Sequence, residues 1–187
     1  MTCLLACVLL SVAGAKDESL RKSHAEGFES IFDGKSLDGW KAPDVSFWRV
    51  EDGAITGEVT ADHKPPENNF IVWQGGKVGD FKLTFRFRIL GEKANSGMQF
   101  RSEVKARGLV HGYQADMSGD GKWTGGVFDE YGPPGSLAAR GTSTTWNAQG
   151  VKDVKPLPAG TRSPEARRPT RPNGWTITSS QTAHTSF

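Results

Sequence analysis

Cysteine is nearly absent from this sequence, and its two copies, Cys3 and Cys7, lie at the extreme amino terminus. A chain that loses this segment has no disulfide, no thiolate nucleophile and no cysteine-based metal site. The formal net charge of +2 and the lack of a basic stripe interleaved with aromatic residues argue against a nucleic-acid partner. No apolar run reaches the roughly 20 residues that span a bilayer, so we expect no transmembrane helix.

Familiar catalytic motifs are also missing. The sequence has no phosphate-binding glycine loop, no Gly-x-Ser-x-Gly nucleophile turn, no His-Glu-x-x-His metal motif and no EF-hand loop. The segment from Ser118 to Lys122 is too short and too poor in carboxylates for calcium, and we interpret it as a tight turn. No cofactor is identified from these patterns.

What is present indicates one globular domain rich in turns. The chain has 187 residues, of which 24% are charged and 36% hydrophobic, with 23 Gly and 10 Pro. From Phe81 to Leu90 apolar residues occupy every second position, which predicts a strand with one buried face. The Asp52-Gly53 pair lies between two short apolar runs and predicts a hairpin. Further strands are predicted at Phe28–Phe32, Gly97–Ser102, Gly112–Met117 and Trp123–Tyr131.

Many short strands with no helical period predict an all-β fold, an antiparallel β-sandwich or jelly roll. We assign residues 28–156 to this domain and residues 16–27 to a polar lead-in. After about residue 156 the sequence becomes rich in arginine and proline. That composition is typical of a disordered tail, and we assign it to residues 157–187.

The first fifteen residues are predicted to be a signal peptide. An apolar run from Cys3 to Val12 is followed by Ala13-Gly14-Ala15, which fits a signal-peptidase site. We therefore expect an exported protein, periplasmic or extracellular, with cleavage after Ala15. A lipoprotein anchor at Cys7 is the less favoured alternative.

Strand alternation gathers polar residues on one face of the predicted sandwich. Gln99 and Arg101 alternate with apolar neighbours on one strand, as Gln114 and Asp116 do on another. If the strands pair, they form an amide, guanidinium and carboxylate patch that can bind sugar hydroxyls and move a proton. The alternative is an ordinary solvated sheet face with cross-strand ion pairs.

Other candidates lie beside this patch. Asp129 and Glu130 are adjacent carboxylates, so on a strand only one of them can join the patch. Alternation alone does not choose between them. His111 enters the strand of Gln114 and could act as a general base, although a partly exposed loop histidine is the ordinary alternative. We also predict that Trp123 and Tyr113 are aromatic residues that bind the substrate.

Five motifs in order resemble the 3-keto-disaccharide hydrolase domain family. The resemblance covers roughly Phe28 to Leu137, and the motifs are listed here by position: Phe32–Trp40, Trp48–Gly57, Gly79–Leu83, Asn95–Arg101 and Gly112–Asp116. The resemblance implies a concanavalin A-like jelly roll, exported by bacteria that degrade glycans. It also implies a hydrolase acting on glycosides whose sugar is oxidised at C3.

The implied chemistry needs a base, an electrophile and an acid. A C3 ketone acidifies the C2 proton, so a modest base can remove it, and the aglycone then leaves C1. Asp116 or His111 is the candidate base, Arg101 the partner of the enolate oxygen, and Glu130 or Asp129 the second acid. Gln99 and Gln114 would orient hydroxyls. A divalent cation could replace Arg101 as electrophile, but the sequence shows no defined ligand set.

The resemblance fades where the arginine- and proline-rich segment begins. The closing strands that the family carries are expected to be missing here, and a frameshift would explain both observations. Two alternatives to an active enzyme stay open: a carbohydrate-binding module of the same fold, and an inactive truncated product.

Overall fold

The computed structural model describes residues 27–133 and 135–158, together with the backbone of three short strands outside them. The strands are β1 (Val8–Leu9), β2 (Trp40–Lys41), β3 (Trp48–Glu51), β4 (Ala54–Gly57), β5 (Val72–Trp73), β6 (Lys82–Ile89), β7 (Asn95–Val104), β8 (Val110–Ser118), β9 (Val127–Glu130), β10 (Ser136–Ala138), β11 (Thr142–Trp146), β12 (Lys152–Pro156), β13 (Glu165–Arg167) and β14 (Trp175–Thr182). Single 3₁₀ turns occur at Val45–Phe47 and Ala106–Gly108.

Two antiparallel sheets make up the sandwich. A six-stranded sheet has the order β13-β14-β6-β1-β4-β3, and a four-stranded sheet has the order β10-β9-β8-β7. Two small ribbons, β11-β12 and β2-β5, lie outside these sheets. The predicted antiparallel β-sandwich is therefore confirmed.

The core lies between the two sheets. Phe87 and Ile89 of β6 pack against Met117 of β8, with Met98 of β7 beside them. Each of the first three side chains is almost fully buried, and burial of such a side chain stabilises the fold by about 1.5–3 kcal/mol. The second cluster forms around Ile55 of β4 and includes the following aromatic residues: Phe32, Phe47 and Trp48.

The two strongest local signals of the sequence are confirmed. The alternating segment forms β6 over Lys82–Ile89, with Phe87 and Ile89 buried. Asp52 and Gly53 both adopt positive φ, at 51° and 73°, and connect β3 to β4. This is the backbone that a two-residue hairpin turn requires.

Two predicted strands differ from the structure. Phe28–Phe32 does not form a strand, because its last residue instead anchors a loop to the core: Phe32 is buried against the Ile55 cluster. The strand predicted at Trp123–Tyr131 is shorter, since a turn occupies the chain up to Gly126 and β9 begins at Val127. Glycine-rich sequence there favours the turn over the strand.

Strands also occur beyond the sandwich domain assigned from the sequence. The backbone of β14 pairs with all eight residues of β6, and β13 pairs with β14. Threonine and isoleucine alternate through the first half of β14, which favours a strand despite the arginine- and proline-rich composition around it. β13 and β14 thus lie beyond the domain bounds assigned from the sequence, and the frameshift stays a prediction.

The predicted signal peptide lies largely outside the described residues. Only the backbone of β1 is described there, and it pairs with β4 and β6. Within the part of the chain that the structure describes, no helix has the length and apolar character needed to cross a membrane.

Candidate functional site

The register of β7, β8 and β9 assembles one polar face on the four-stranded sheet. Gln99 lies directly opposite Gln114, and Gly97 opposite Asp116. On the other side of β8, Glu130 lies opposite Gly112. Side chains alternate along a strand, so Gln99, Gln114, Asp116 and Glu130 share one face. Met98 and Met117 occupy the other and pack into the core.

A directed chain of hydrogen bonds runs along this polar face. The Ser102 hydroxyl donates to Oε1 of Gln99 at 2.9 Å. Gln99 Nε2 donates to Oε1 of Gln114 at 3.1 Å, and Gln114 Nε2 donates to Oδ1 of Asp116 at 2.8 Å. While Asp116 is ionised its oxygens can only accept, so Gln114 must donate to it, and the orientation of each amide follows from this. The chain therefore fixes Asp116 through one oxygen and leaves its second oxygen available for chemistry.

Gly97 provides the space for this arrangement. A Cβ atom at Gly97 would lie 2.2 Å from Cγ and 2.3 Å from Cδ of Gln114. The Gln114 side chain thus lies across Gly97 on its way to Asp116. Any larger residue at position 97 would displace the amide that holds the carboxylate.

Glu130 is held separately, from outside the sheet. Asn68, in the loop between β4 and β5, donates from Nδ2 to Oε1 of Glu130 at 2.7 Å. Glu130 and Asp116 are each only 8% exposed. Their backbones are separated by four residues along the strand direction, about 13 Å from the usual rise per residue. The two carboxylates thus lie at opposite ends of the polar face, with Gln114 between them.

Burial shifts the proton affinity of both carboxylates. Desolvation raises the pKa of Asp116, and the hydrogen bond from Gln114 opposes this rise. Desolvation also raises the pKa of Glu130, Asn68 opposes it, and the negative charge of Asp116 adds to it. Carboxyl groups with raised pKa values can exchange protons nearer to neutral pH than ordinary ones.

Arg101 departs from the alternation that the sequence predicted. The pairing of β7 with β8 shifts between Phe100 and Glu103, so Arg101 and Ser102 both lie opposite Gly112 in a bulge. Arg101 has a positive φ of 47°, and its Nη2 contacts Oδ1 of Asp80 at 2.6 Å. Ser102 therefore takes the place on the Gln99 side that alternation gives to Arg101.

Three other candidates lie on the opposite side of the strands. Tyr113 pairs with Asp129 across β8 and β9 and its ring contacts Phe100. The Asp129 carboxylate lies against Gly132 in the following turn. His111 pairs with Glu103. Of the two adjacent carboxylates it is therefore Glu130 that joins the polar face.

His111 has an aromatic neighbour instead of a carboxylate of the polar face. Its ring stacks on Tyr131, with centroids 4.6 Å apart and planes inclined by 19°. Tyr131 directly follows Glu130, the last residue of β9. Alternation along β8 directs His111 away from Asp116.

Trp123 lies in the turn that follows Asp116. Its backbone N–H donates to Oγ of Ser118 at 3.0 Å, and buried Thr124 bonds to both backbone groups of Ser118. The Trp123 ring stays 45% exposed. A rigid turn thus presents an aromatic surface near the Asp116 end of the polar face.

Three contributors were missed by the sequence reasoning. Ser102 can bond Gln99 only because the bulge places it on the same face. Asn68 reaches the site from a loop whose sequence has no periodicity. Gly97 lies inside a motif that was identified, yet its steric role requires the cross-strand register. Among residues 27–133 and 135–158, no group of three or more His, Cys, Asp or Glu side chains is placed to hold a metal ion.

Fold and site together define an antiparallel β-sandwich with a face of amides and carboxylates, a donor and acceptor set that suits polyhydroxylated ligands. Models of known families match residues 27–178 of the chain as a 3-keto-alpha-glucoside-1,2-lyase-like domain. The chain belongs to this family, as the motifs predicted. The match extends past residue 156 into the segment that contains β13 and β14. No curated protein matches the chain.

Proposed function

We propose that this protein is an exported enzyme that cleaves 3-keto-glycosides, with Asp116 as base and Glu130 as acid. The observation that carries the proposal is the pair of buried carboxylates on one face, each held through a single oxygen by an amide. Membership of a 3-keto-alpha-glucoside-1,2-lyase-like family supports this substrate class.

The first step is removal of the proton at C2 of the sugar. The ketone at C3 stabilises the carbanion as an enolate, so the base need not be strong. Asp116 takes this proton on the oxygen that Gln114 leaves unoccupied. Its raised pKa makes it a better base than an ordinary aspartate.

The second step breaks the bond from C1 to the aglycone oxygen. The enolate electrons form the C1–C2 double bond, the C3 ketone returns, and protonated Glu130 gives its proton to the leaving oxygen. This elimination is what the lyase name of the family describes. Addition of water across the double bond would then complete a net hydrolysis, which is the activity the sequence analysis expected.

The developing charge on the C3 oxygen needs a donor. Arg101 is the candidate, because it lies opposite Gly112 beside the strand position of Glu130; its guanidinium pairs with Asp80 and would have to turn from that carboxylate to reach the C3 oxygen. A preorganised donor to a developing oxyanion typically contributes about 2.7–4 kcal/mol to transition-state stabilisation. Gln99 and Gln114 would orient the sugar hydroxyls.

The test is incubation of the purified protein with a 3-keto-glycoside that carries a chromogenic aglycone. We expect release by the wild type, and NMR of the sugar product would show either the enone or its hydrate. If the folded wild type releases aglycone from neither the α nor the β anomer, the proposal is wrong.

A carbohydrate-binding module is the second candidate function, and exposed Trp123 favours it, because aromatic rings stack on sugars without any chemistry. Calorimetry with the same ligand separates the two functions. Binding without turnover, abolished in Trp123→Ala, would favour the module. Turnover that survives in Trp123→Ala with a raised KM favours the enzyme.

Export is tested by the amino terminus of the protein purified from its native host. We expect a chain that begins at Lys16 and is recovered from the periplasm or medium. Cleavage there removes β1, so the gap between β4 and β6 would need another partner. A full-length chain in the cytoplasm would contradict this part of the proposal.

A further inference from the structure

Three consecutive residues fix the loop beside Glu130 to distant parts of the fold. Glu67 pairs with Nη2 of Arg107 at 2.8 Å. Asn69 accepts from Nε1 of Trp48 at 2.7 Å and donates to the backbone oxygen of Asp44 at 3.1 Å. Asn68 stands between these two contacts, of which the two hydrogen bonds of Asn69 are the firmer, because the Glu67–Arg107 pair is largely exposed.

Asn68 contacts the end of β9. Its amide nitrogen donates to Oε1 of Glu130, a residue 62 positions away in sequence. A hydrogen bond to an ionised carboxylate is stronger and more directional than one between neutral groups. The contact therefore sets the rotation of the Glu130 carboxyl group.

We propose that Asn68 is a positioning residue, which holds one oxygen of Glu130 and turns the other toward the aglycone, and that Glu67 and Asn69 clamp it there. The inference rests on the proposed function, in which Glu130 is the acid. It adds a residue that touches no reacting atom and that comes from outside the sheet.

Several charged or titratable groups surround Glu130 and define the expected pH behaviour. Asp116 lies on the same face, Tyr131 follows in sequence, and the Glu67–Arg107 ion pair lies behind the loop. Asn68 lowers the pKa of Glu130 against the effect of burial. Loss of its donor should raise that pKa, and a carboxylate in its place should raise it further through like-charge repulsion.

The experiment follows Glu130 directly with ¹³C-labelled glutamate in wild type, Asn68→Ala and Asn68→Asp. We expect the NMR pKa of Glu130 to increase in that order. The alkaline limb of the pH–rate profile should move up with it, since the acid must be protonated. kcat should fall at least about tenfold while KM changes little.

Gln74→Ala serves as the matched control, because its amide donates to the nearby backbone oxygen of Val72 and not to Glu130. It should leave the Glu130 pKa and the profile unchanged. The Asn68→Asp variant keeps the volume of the side chain, so a folding defect in Asn68→Ala does not prevent the test.

The outcomes separate the two proposals. An unchanged Glu130 pKa in both Asn68 variants, with only a lower melting temperature, would show a purely structural role and overturn the inference. A shifted pKa in a protein that never cleaves 3-keto-glycosides would support the role of Asn68 toward Glu130 and overturn the proposed function instead.

Discussion

The two faces of the four-stranded sheet are almost equally buried, yet they are built from opposite chemistry. On the inner face Met117 is 2% exposed, and on the outer face Gln114 is also 2% exposed. Burial of the methionine stabilises the fold, whereas burial of an amide costs free energy unless hydrogen bonds replace water. The inner face therefore accounts for stability, and the proposed function would account for the buried polar side chains of the outer face.

The largest expected effect is the loss of aglycone release when either carboxylate of the outer face is replaced. Asp116→Asn and Glu130→Gln should each reduce aglycone release at least about 100-fold, because each removes a proton-transfer group. His111→Ala should retain most activity, since its ring stacks on Tyr131 and alternation along β8 directs it away from Asp116. Steady-state kinetics with a chromogenic 3-keto-glycoside gives all three values. Full activity in Asp116→Asn, or its loss in His111→Ala, would reverse the assignment.

The inner face should respond in stability instead. Phe87→Ala leaves a cavity opposite Met117 and should reduce the free energy of unfolding by about 3–5 kcal/mol. Urea unfolding followed by tryptophan fluorescence measures the change. Where the variant stays folded, its kcat should be close to that of the wild type. A stable variant with a damaged site would show that the two faces are not separable.

Gly97 lies on the polar face beside Gln114, and its substitution should reduce both stability and activity, each by less than the changes above. Gly97→Ala forces Gln114 to move and should cost about 1–3 kcal/mol of stability together with part of the activity. Gly79→Ala is the control, since a Cβ there meets nothing within 4 Å. Equal effects of the two substitutions on activity would contradict the steric role of Gly97.

The smallest effect is the pH dependence of stability. Asp116 has a raised pKa when folded, so its contribution to stability is present at acid pH and is lost as the pH rises through that pKa. Asp116→Asn should therefore melt at a higher temperature than the wild type at neutral pH, with the difference vanishing toward acid pH. Thermal melts between pH 4 and 8 test this. A variant that is less stable at neutral pH would contradict the sign.

Local pattern was sufficient for much of the fold and part of the site. Alternation located β6 and the shared face of Gln99, Gln114 and Asp116, because side-chain direction in a regular strand depends only on parity. The choice between Asp129 and Glu130 needed the register of β9 against β8, which no local pattern encodes. Parity also failed at Arg101, since one extra residue in the bulge shifts every position after it.

Long-range and composition effects account for the remainder. Asn68 reaches Glu130 across 62 positions, and a loop without periodicity gives no signal for such a contact. The arginine- and proline-rich composition predicted disorder after residue 156, whereas the backbone of β14 pairs with β6. The edge of a regular strand such as β6 carries unpaired backbone N–H and C=O groups, which favour pairing with another strand. This preference comes from the sheet and cannot be seen in the composition of the segment that pairs with it.

Exchange of the C2 hydrogen of a 3-keto-glycoside in deuterated water tests the division of labour between the two carboxylates most directly. We predict that Glu130→Gln still exchanges C2 hydrogen but releases little aglycone, while Asp116→Asn neither exchanges nor releases. Exchange that continues unchanged in Asp116→Asn would contradict the account, because the base would then be another group.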